Sequence, residues 1–153
     1  MKPFDLQVNG YAGVDFNHLN LTADDLHLAC QRLKEDRCGA FLATIITDSL
    51  PAMEQKLHRL ATFREADALA RQMISGLHIE GPFLNPAPGY IGAHPKGAAR
   101  PADPDTMARL LDASGGLTRL VTLAPEQDPR FATTRFLADQ GITVAAGHCN
   151  PDL

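Results

Sequence analysis

Five apolar segments alternate with amphipathic ones along this chain, and this alternation restricts its possible folds more than any other feature. Several of the apolar segments are near-continuous runs, as expected for strands covered on both faces. Strand–helix alternation requires a parallel sheet with right-handed crossovers, so the predicted fold class is α/β. The predicted strands are FDLQVN (4–9), GAFLATII (39–46), MISGLHIE (73–80), LTRLVTLA (117–124) and ITVAAG (142–147).

The intervening segments carry signals for helix starts. Thr22 followed by Asp25 predicts a capping box before a helix that buries Leu26, Cys30 and Leu33. Further helix starts, each with a capping side chain, are predicted at Ser49, Asp103-Pro104 and Asp128-Pro129.

Two architectures suit this pattern, an open doubly wound sheet and part of a (β/α)₈ barrel. The chain ends shortly after the fifth strand has delivered His148, and no helix follows to cover that strand. A complete barrel takes roughly 250 residues. We therefore expect a partial (β/α)₈ TIM-type barrel, formed by about the first five strands, as a single incomplete domain over residues 1–153.

Composition and charge exclude several classes of protein. The chain of 153 residues is 44% hydrophobic and 21% charged, which is ordinary for a globular domain. Its formal charge of −4 argues against a general nucleic-acid or membrane-surface binder. No transmembrane run and no signal peptide are expected. The three cysteines show no C-x-x-C spacing, which favours a reducing, cytoplasmic location.

Polar side chains at the ends of the predicted strands are the candidates for chemistry. Glu80 ends the third strand and His148 follows the fifth, and functional groups of parallel α/β folds gather at this edge. A carboxylate and an imidazole suit a metal such as Zn²⁺. From spacing alone, an ion pair from Glu80 to a helix and a loop-capping role for His148 are equally compatible. His78 shares a face with Glu80, where packing is the simpler role.

Residues 81–102 form a long loop that is rich in proline and glycine, and loops of this length are often functional. It carries His94, Lys96 and Arg100, which could meet an anionic or hydroxylated substrate.

Several motifs in one order complete the pattern, namely DLQVNGYAGVDFN, GLHIEGPFLNP, IGAHP, VTLAPE and AAGHCNP. Together they resemble the N-acetylglucosamine-6-phosphate deacetylase family of the amidohydrolase superfamily, from about residue 5 onward. The resemblance implies a metal-dependent (β/α)₈-barrel hydrolase that removes acetate from a phosphorylated amino sugar. It implies that Glu80 and His148 bind the metal.

The resemblance also implies the remaining roles. Many amidohydrolases carry H-x-H on the first strand, where this chain has Gln7-Val8-Asn9, so one divalent ion is expected: Zn²⁺, with Fe²⁺ or another divalent ion as alternatives. His94, Ala93 and Gln7 are expected to contact the sugar, and His78 and Asn9 to lie beside the metal ligands.

Other parts of the family's machinery are expected beyond Leu153. By the resemblance, these are the general-base Asp, a third metal-binding histidine, most phosphate-binding groups, the last barrel strands and the small β-sandwich domain. No catalytic general base is therefore assigned within this chain, which is expected to be inactive alone. The expected partner is a phosphorylated amino sugar, with no nucleic acid and no membrane, and a homo-oligomer is expected because the family forms dimers.

Two other interpretations remain open. One is a non-catalytic α/β module that self-associates through its open sheet edge. The other is a different amidohydrolase, such as a dihydroorotase or a urease-like enzyme. The Gln7-Val8-Asn9 segment argues against the latter, because such enzymes are expected to show H-x-H there.

Overall fold

The computed structural model describes residues 2–150, in which helices pack against a curled parallel sheet. Short 3₁₀ turns cover Lys96–Ala98, Pro125–Gln127 and Pro129–Phe131. In chain order, the strands and α-helices are β1 (Phe4–Val8), β2 (Gly10–Tyr11), β3 (Val14–Asp15), α1 (Ala23–Glu35), β4 (Ala40–Ile46), α2 (Leu50–Ala66), α3 (Ala68–Met73), β5 (Ile74–Glu80), α4 (Pro104–Ala113), β6 (Thr118–Leu123), α5 (Ala132–Asp139) and β7 (Thr143–Ala146).

The main sheet has the strand order β1-β4-β5-β6-β7, and every neighbouring pair is parallel. Each of the five predicted strands is confirmed, and its ends lie within one residue of the prediction. Each strand lies beside its predecessor in sequence order, without the reversal that marks a doubly wound sheet. The prediction of a partial (β/α)₈ barrel is confirmed.

The two faces of the sheet differ in chemistry. Because side chains alternate along a strand, one face of β4, β5 and β6 is apolar and packs beneath the helices. The other face is the interior of the curled sheet and carries polar groups near its carboxyl edge. Buried residues on the helix side include Phe41, Ala43, Ile45, Leu77, Ile79, Val121 and Leu123. The buried polar residues toward the carboxyl edge of the interior side are Thr44, His78, Glu80 and Thr122, and Leu42 and Thr118 are buried farther back on the same face.

Two of the four predicted helix caps are present as predicted. Thr22 and Asp25 form a complete capping box at the start of α1. Asp103 accepts a hydrogen bond from the Thr106 amide, 2.9 Å away, at the start of α4. At Asp128-Pro129 the predicted helix start is displaced: Pro129–Phe131 is a 3₁₀ turn, and α5 begins at Ala132 with Phe131 at its N-cap position. The Asp128 carboxylate still accepts the Thr133 and Thr134 amides of the first turn of α5.

The predicted cap at Ser49 is wrong. Ser49 does precede α2, but its side chain makes no capping hydrogen bond. The second helical residue is Pro51, which has no amide hydrogen, so one of the two donors that a serine cap normally uses is missing.

The glycine-rich stretch after β1 forms a small hairpin of β2 and β3. Its two central residues, Ala12 and Gly13, have φ angles of 52° and 85°, as a two-residue hairpin turn requires. The Tyr11 hydroxyl donates to Asp36 at 2.5 Å and so fastens the hairpin to the end of α1.

Within residues 2–150, no helix is both long enough and apolar enough to cross a lipid bilayer.

Candidate metal site

Glu80 ends β5 on the interior side of the sheet, with 7% of its surface exposed. The backbone around it is held on both sides. The Thr47 hydroxyl donates to the Glu80 carbonyl at 3.1 Å. Gly81 then turns the chain with a φ of 84°, and a Cβ atom there would overlap the Thr47 hydroxyl. A glycine is therefore required directly after the carboxylate.

Two imidazoles face one oxygen of this carboxylate. His148 Nε2 lies 3.1 Å from Glu80 Oε1, and His94 Nε2 lies 3.7 Å from the same oxygen. The two rings meet edge to face with their centroids 4.5 Å apart. One donor atom from each residue lies within 4.8 Å of the other two, an arrangement that could hold a metal ion. We call Glu80, His94 and His148 the Glu–His–His cluster.

The surroundings lower the pKa of the Glu80 carboxyl. Burial alone would raise this pKa, because it penalises the charged form. The hydrogen bonds and charges of His94 and His148 act in the opposite direction and outweigh burial, so the net shift is downward. The carboxylate is thus kept in the ionised form that a metal ligand requires.

His148 is held by the loop of residues 81–102. Its ring Nδ1 lies 2.7 Å from the Tyr90 carbonyl oxygen, and its own carbonyl accepts the Asn85 amide at 3.0 Å. A Cβ atom on Gly92 of the same loop would come within 3.1 Å of the His148 ring. The long loop therefore brings His94 to the cluster and also orients His148.

Gln7 reaches the cluster from β1. Its Nε2 donates to Glu80 Oε2 at 2.9 Å, so the two carboxylate oxygens have different neighbours. The pairing of β1 with β4 is irregular between Asp5 and Val8, which includes this position. The expected contact of Gln7 with a sugar stays a prediction, and the contact present is with Glu80.

His78 lies deeper on the same interior face, with 1% of its surface exposed. Its Nδ1 is 3.2 Å from the Thr44 hydroxyl and its Nε2 is 2.8 Å from the Thr122 hydroxyl. Burial lowers the pKa of His78, with the Glu80 charge acting against that shift. Both ring nitrogens thus bond to threonines of the neighbouring strands, and the residue packs beneath Glu80.

The other residues expected at the site are less engaged. Asn9 joins the turn after β1 through its carbonyl, which accepts the Phe16 amide at 2.9 Å. Ala93, Lys96 and Arg100 lie on the exposed side of the loop. Their contacts with a substrate stay predictions.

Sequence reasoning missed several groups that build this site. The Tyr90 carbonyl leaves no trace in a sequence, because any residue offers the same acceptor. Asn85 and Glu126 had a weak sequence signal for a role at the site. Each follows a strand by a few residues, Asn85 within GLHIEGPFLNP and Glu126 within VTLAPE.

The chain was compared with known proteins in sequence and in structure. No family model matches it. It is 33% identical over 150 residues to an N-acetylglucosamine-6-phosphate deacetylase of Bacillus subtilis, a match that covers 97% of this chain and 37% of the relative. It is 35% identical over 150 residues to an N-acetylgalactosamine-6-phosphate deacetylase of a Shewanella strain, covering 97% of this chain and 36% of the relative.

The fold matches as well. A mutant N-acetyl-D-glucosamine-6-phosphate deacetylase of Mycobacterium smegmatis, solved with N-acetyl-D-glucosamine-6-phosphate, superposes with a TM-score of 0.86. The match is 29% identical and covers 98% of this chain and 37% of that structure. The resemblance to N-acetylglucosamine-6-phosphate deacetylases is confirmed. These relatives are hydrolases, and the chain spans little more than a third of their length.

Proposed function

We propose that the protein carrying this chain is a metal-dependent deacetylase of a phosphorylated N-acetylhexosamine, N-acetylglucosamine 6-phosphate in the first instance. The observation that carries the proposal is the approach of His148 Nε2 to Glu80 Oε1, 3.1 Å apart at the ends of two strands of a deacetylase-like sheet. The proposed metal ligands are Glu80 and His148.

The chemistry of these donors fits a divalent cation. The Tyr90 carbonyl can only accept a hydrogen bond, so His148 Nδ1 carries a proton. With Nδ1 acting as the donor, Nε2 is the ring nitrogen left to bind a cation beside the Glu80 carboxylate. An imidazole held through its other nitrogen by a backbone carbonyl is the usual arrangement of a metal-binding histidine.

When bound, such an ion activates water for attack on the amide carbon and polarises the amide carbonyl. Imidazole and carboxylate oxygen donors suit Zn²⁺, with Fe²⁺ as the alternative. Glu80 and His148 would hold the ion at the carboxyl edge of the sheet, above the buried His78.

His94 is proposed to contact the substrate. Its Nε2 lies farther from Glu80 Oε1 than that of His148, at 3.7 Å. Its Nδ1 is buried without a hydrogen-bond partner among the described residues, so it lacks the support that His148 has. A nearby imidazole without a fixed hydrogen bond at its second nitrogen is suited to hydrogen-bond the acetamido group while leaving the metal an open position.

Gln7 supports a single-metal site. Its amide already donates to Glu80 Oε2, and amides bind such cations weakly compared with the imidazoles of an H-x-H pair.

The general base and the phosphate-binding groups are proposed to lie beyond Leu153. We therefore expect the 153-residue chain on its own to be inactive, and the full-length protein to work as a homo-oligomer. The three cysteines are free, which is in keeping with a cytoplasmic location.

The test is metal analysis and turnover in the full-length protein. Native protein is expected to hold one divalent ion per chain and to release acetate from N-acetylglucosamine 6-phosphate. Glu80→Ala and His148→Ala should lose both, whereas Glu65→Ala, an exposed acid in α2, should lose neither. N-acetylgalactosamine 6-phosphate is assayed in parallel, because the Shewanella relative is named as a deacetylase of that compound. Full activity of metal-free protein, or of Glu80→Ala, would refute the proposal.

A further inference from the structure

Glu126 lies outside the Glu–His–His cluster, in the 3₁₀ turn after β6, and joins the two loops that carry the cluster's histidines. Its Oε1 accepts a hydrogen bond from Asn85 Nδ2 at 2.9 Å and another from the Asn150 backbone amide at 2.6 Å. One oxygen atom therefore links the loop after β5 to the segment after β7.

The segment held in this way, residues 148–150, begins with His148. Asn85 donates its backbone amide to the His148 carbonyl at 3.0 Å, and the next contact along the chain is that of the Asn150 amide with Glu126. The backbone of residues 148–150 is thus fastened at both ends to Asn85 and Glu126.

His148 needs such support because of its backbone conformation. Its φ is 50°, in the left-handed region that a residue with a Cβ atom adopts only at a cost. Strained residues of this kind persist when the surrounding contacts determine their conformation. The conformation directs Nε2 of His148 toward Glu80, so release of the backbone would move a proposed metal ligand.

The 3₁₀ turn that carries Glu126 is itself held by backbone hydrogen bonds. The Ala124 amide donates to the Phe83 carbonyl at 2.8 Å, and the Ala102 amide donates to the Gln127 carbonyl at 2.7 Å. These backbone bonds dock the turn after β6 on both ends of the long loop. The Asn85 side chain is fixed too, because its Oδ1 accepts the Ala87 amide at 2.9 Å.

The pKa of Glu126 is consistent with this role. Burial would raise it, and the hydrogen bonds from Asn150 and Asn85 lower it more strongly, so the carboxylate stays ionised. Hydrogen bonds to an ionised acceptor are stronger than those between neutral groups.

We propose that Glu126 is a positioning residue, whose Oε1 holds the His148 backbone in the conformation that aims its imidazole at Glu80. The inference rests on the proposed metal site, but the geometry of the backbone can be tested without metal. Glu126 touches neither the metal donors nor the reacting atoms and acts through Asn85 and Asn150.

The variants are chosen so that one keeps the acceptor and the other removes it. Both hydrogen bonds end on a single oxygen, so Glu126→Gln retains an acceptor of the same shape, whereas Glu126→Leu removes it at similar volume. Asn85→Ala breaks the same link from the other side and serves if Glu126→Leu does not fold. Glu35→Leu, at an exposed acid on α1, is the matched control.

The measurements use the full-length protein. In Zn²⁺ competition titrations, Glu126→Leu and Asn85→Ala are expected to weaken the affinity about 10- to 100-fold, as loss of a group that orients a ligand does. Glu126→Gln and Glu35→Leu should stay within about threefold of native. In metal-free protein, hydrogen exchange of residues 147–150 should speed up in Glu126→Leu and Asn85→Ala only.

Each outcome bears on the inference separately from the proposed function. Native affinity and native exchange in Glu126→Leu would overturn it, as would a loss in Glu126→Gln equal to that in Glu126→Leu. If native protein binds no Zn²⁺, the proposed metal site is refuted. The exchange measurement then decides alone whether Glu126 holds the segment.

Discussion

Gln7 Nε2 donates to Glu80 Oε2 at 2.9 Å, while the other oxygen of the same carboxylate faces two imidazoles. This contact fixes the rotation of the carboxylate about its last bond. It leaves Oε1 as the oxygen that meets His148.

Replacement of Gln7 by alanine should weaken metal binding. The carboxylate of Glu80 then loses its orienting donor, and we expect about a 10-fold loss of Zn²⁺ affinity in competition titrations. Gln31→Ala, at an exposed glutamine of α1, is the control and should bind as native does. An affinity of Gln7→Ala equal to that of native protein would show that the hydrogen bond does not orient the ligand.

Replacement of His94 by asparagine separates its two roles in the cluster. If His94 contacts the substrate, His94→Asn keeps one metal ion per chain and loses about 100-fold or more in acetate release. Metal analysis and turnover are measured on the same sample, with His58→Asn, an exposed histidine of α2, as the control. Loss of the metal together with the activity would instead make His94 a third ligand.

The ion pair between Lys56 and Asp48 predicts an asymmetric response to mutation. Lys56 is buried and its Nζ lies 2.6 Å from Asp48 Oδ2. Asp48→Asn leaves a buried ammonium unpaired and should cost about 1–2 kcal/mol of unfolding free energy, reduced from the fully buried case because Asp48 is partly exposed. Lys56→Met keeps the apolar stem and should be nearly neutral. Urea titrations at neutral pH measure both.

The same pair predicts a pH dependence. The hydrogen bond from Lys56 holds the pKa of Asp48 below its usual 3.8, with burial acting against it. A carboxyl whose folded-state pKa is lowered contributes stability above its unfolded pKa and loses it as the pH falls through the folded value. Between about pH 5 and about pH 2, native protein should therefore lose more unfolding free energy than Lys56→Met. Parallel losses in the two proteins would contradict this assignment.

Much of the fold was accessible from sequence because strands have a local signal. Near-continuous apolar runs between helices marked the five strands, and the alternation of side chains placed His78 and Glu80 on one face. Helix caps were predictable where the acceptor and its partner amide lie within a few residues, as at Thr22. The prediction failed at Ser49, where Pro51 removes a donor.

The sequence by itself determined the sheet, its polar interior face and the placement of Glu80 and His148 at strand ends. Only the tertiary structure decided that His94 meets them, because residues 81–102 have no periodic pattern from which a path can be derived. It also decided the supports from Gln7, Tyr90 and Glu126. Those contacts join residues distant in sequence or use backbone atoms that every residue shares, so no local pattern encodes them.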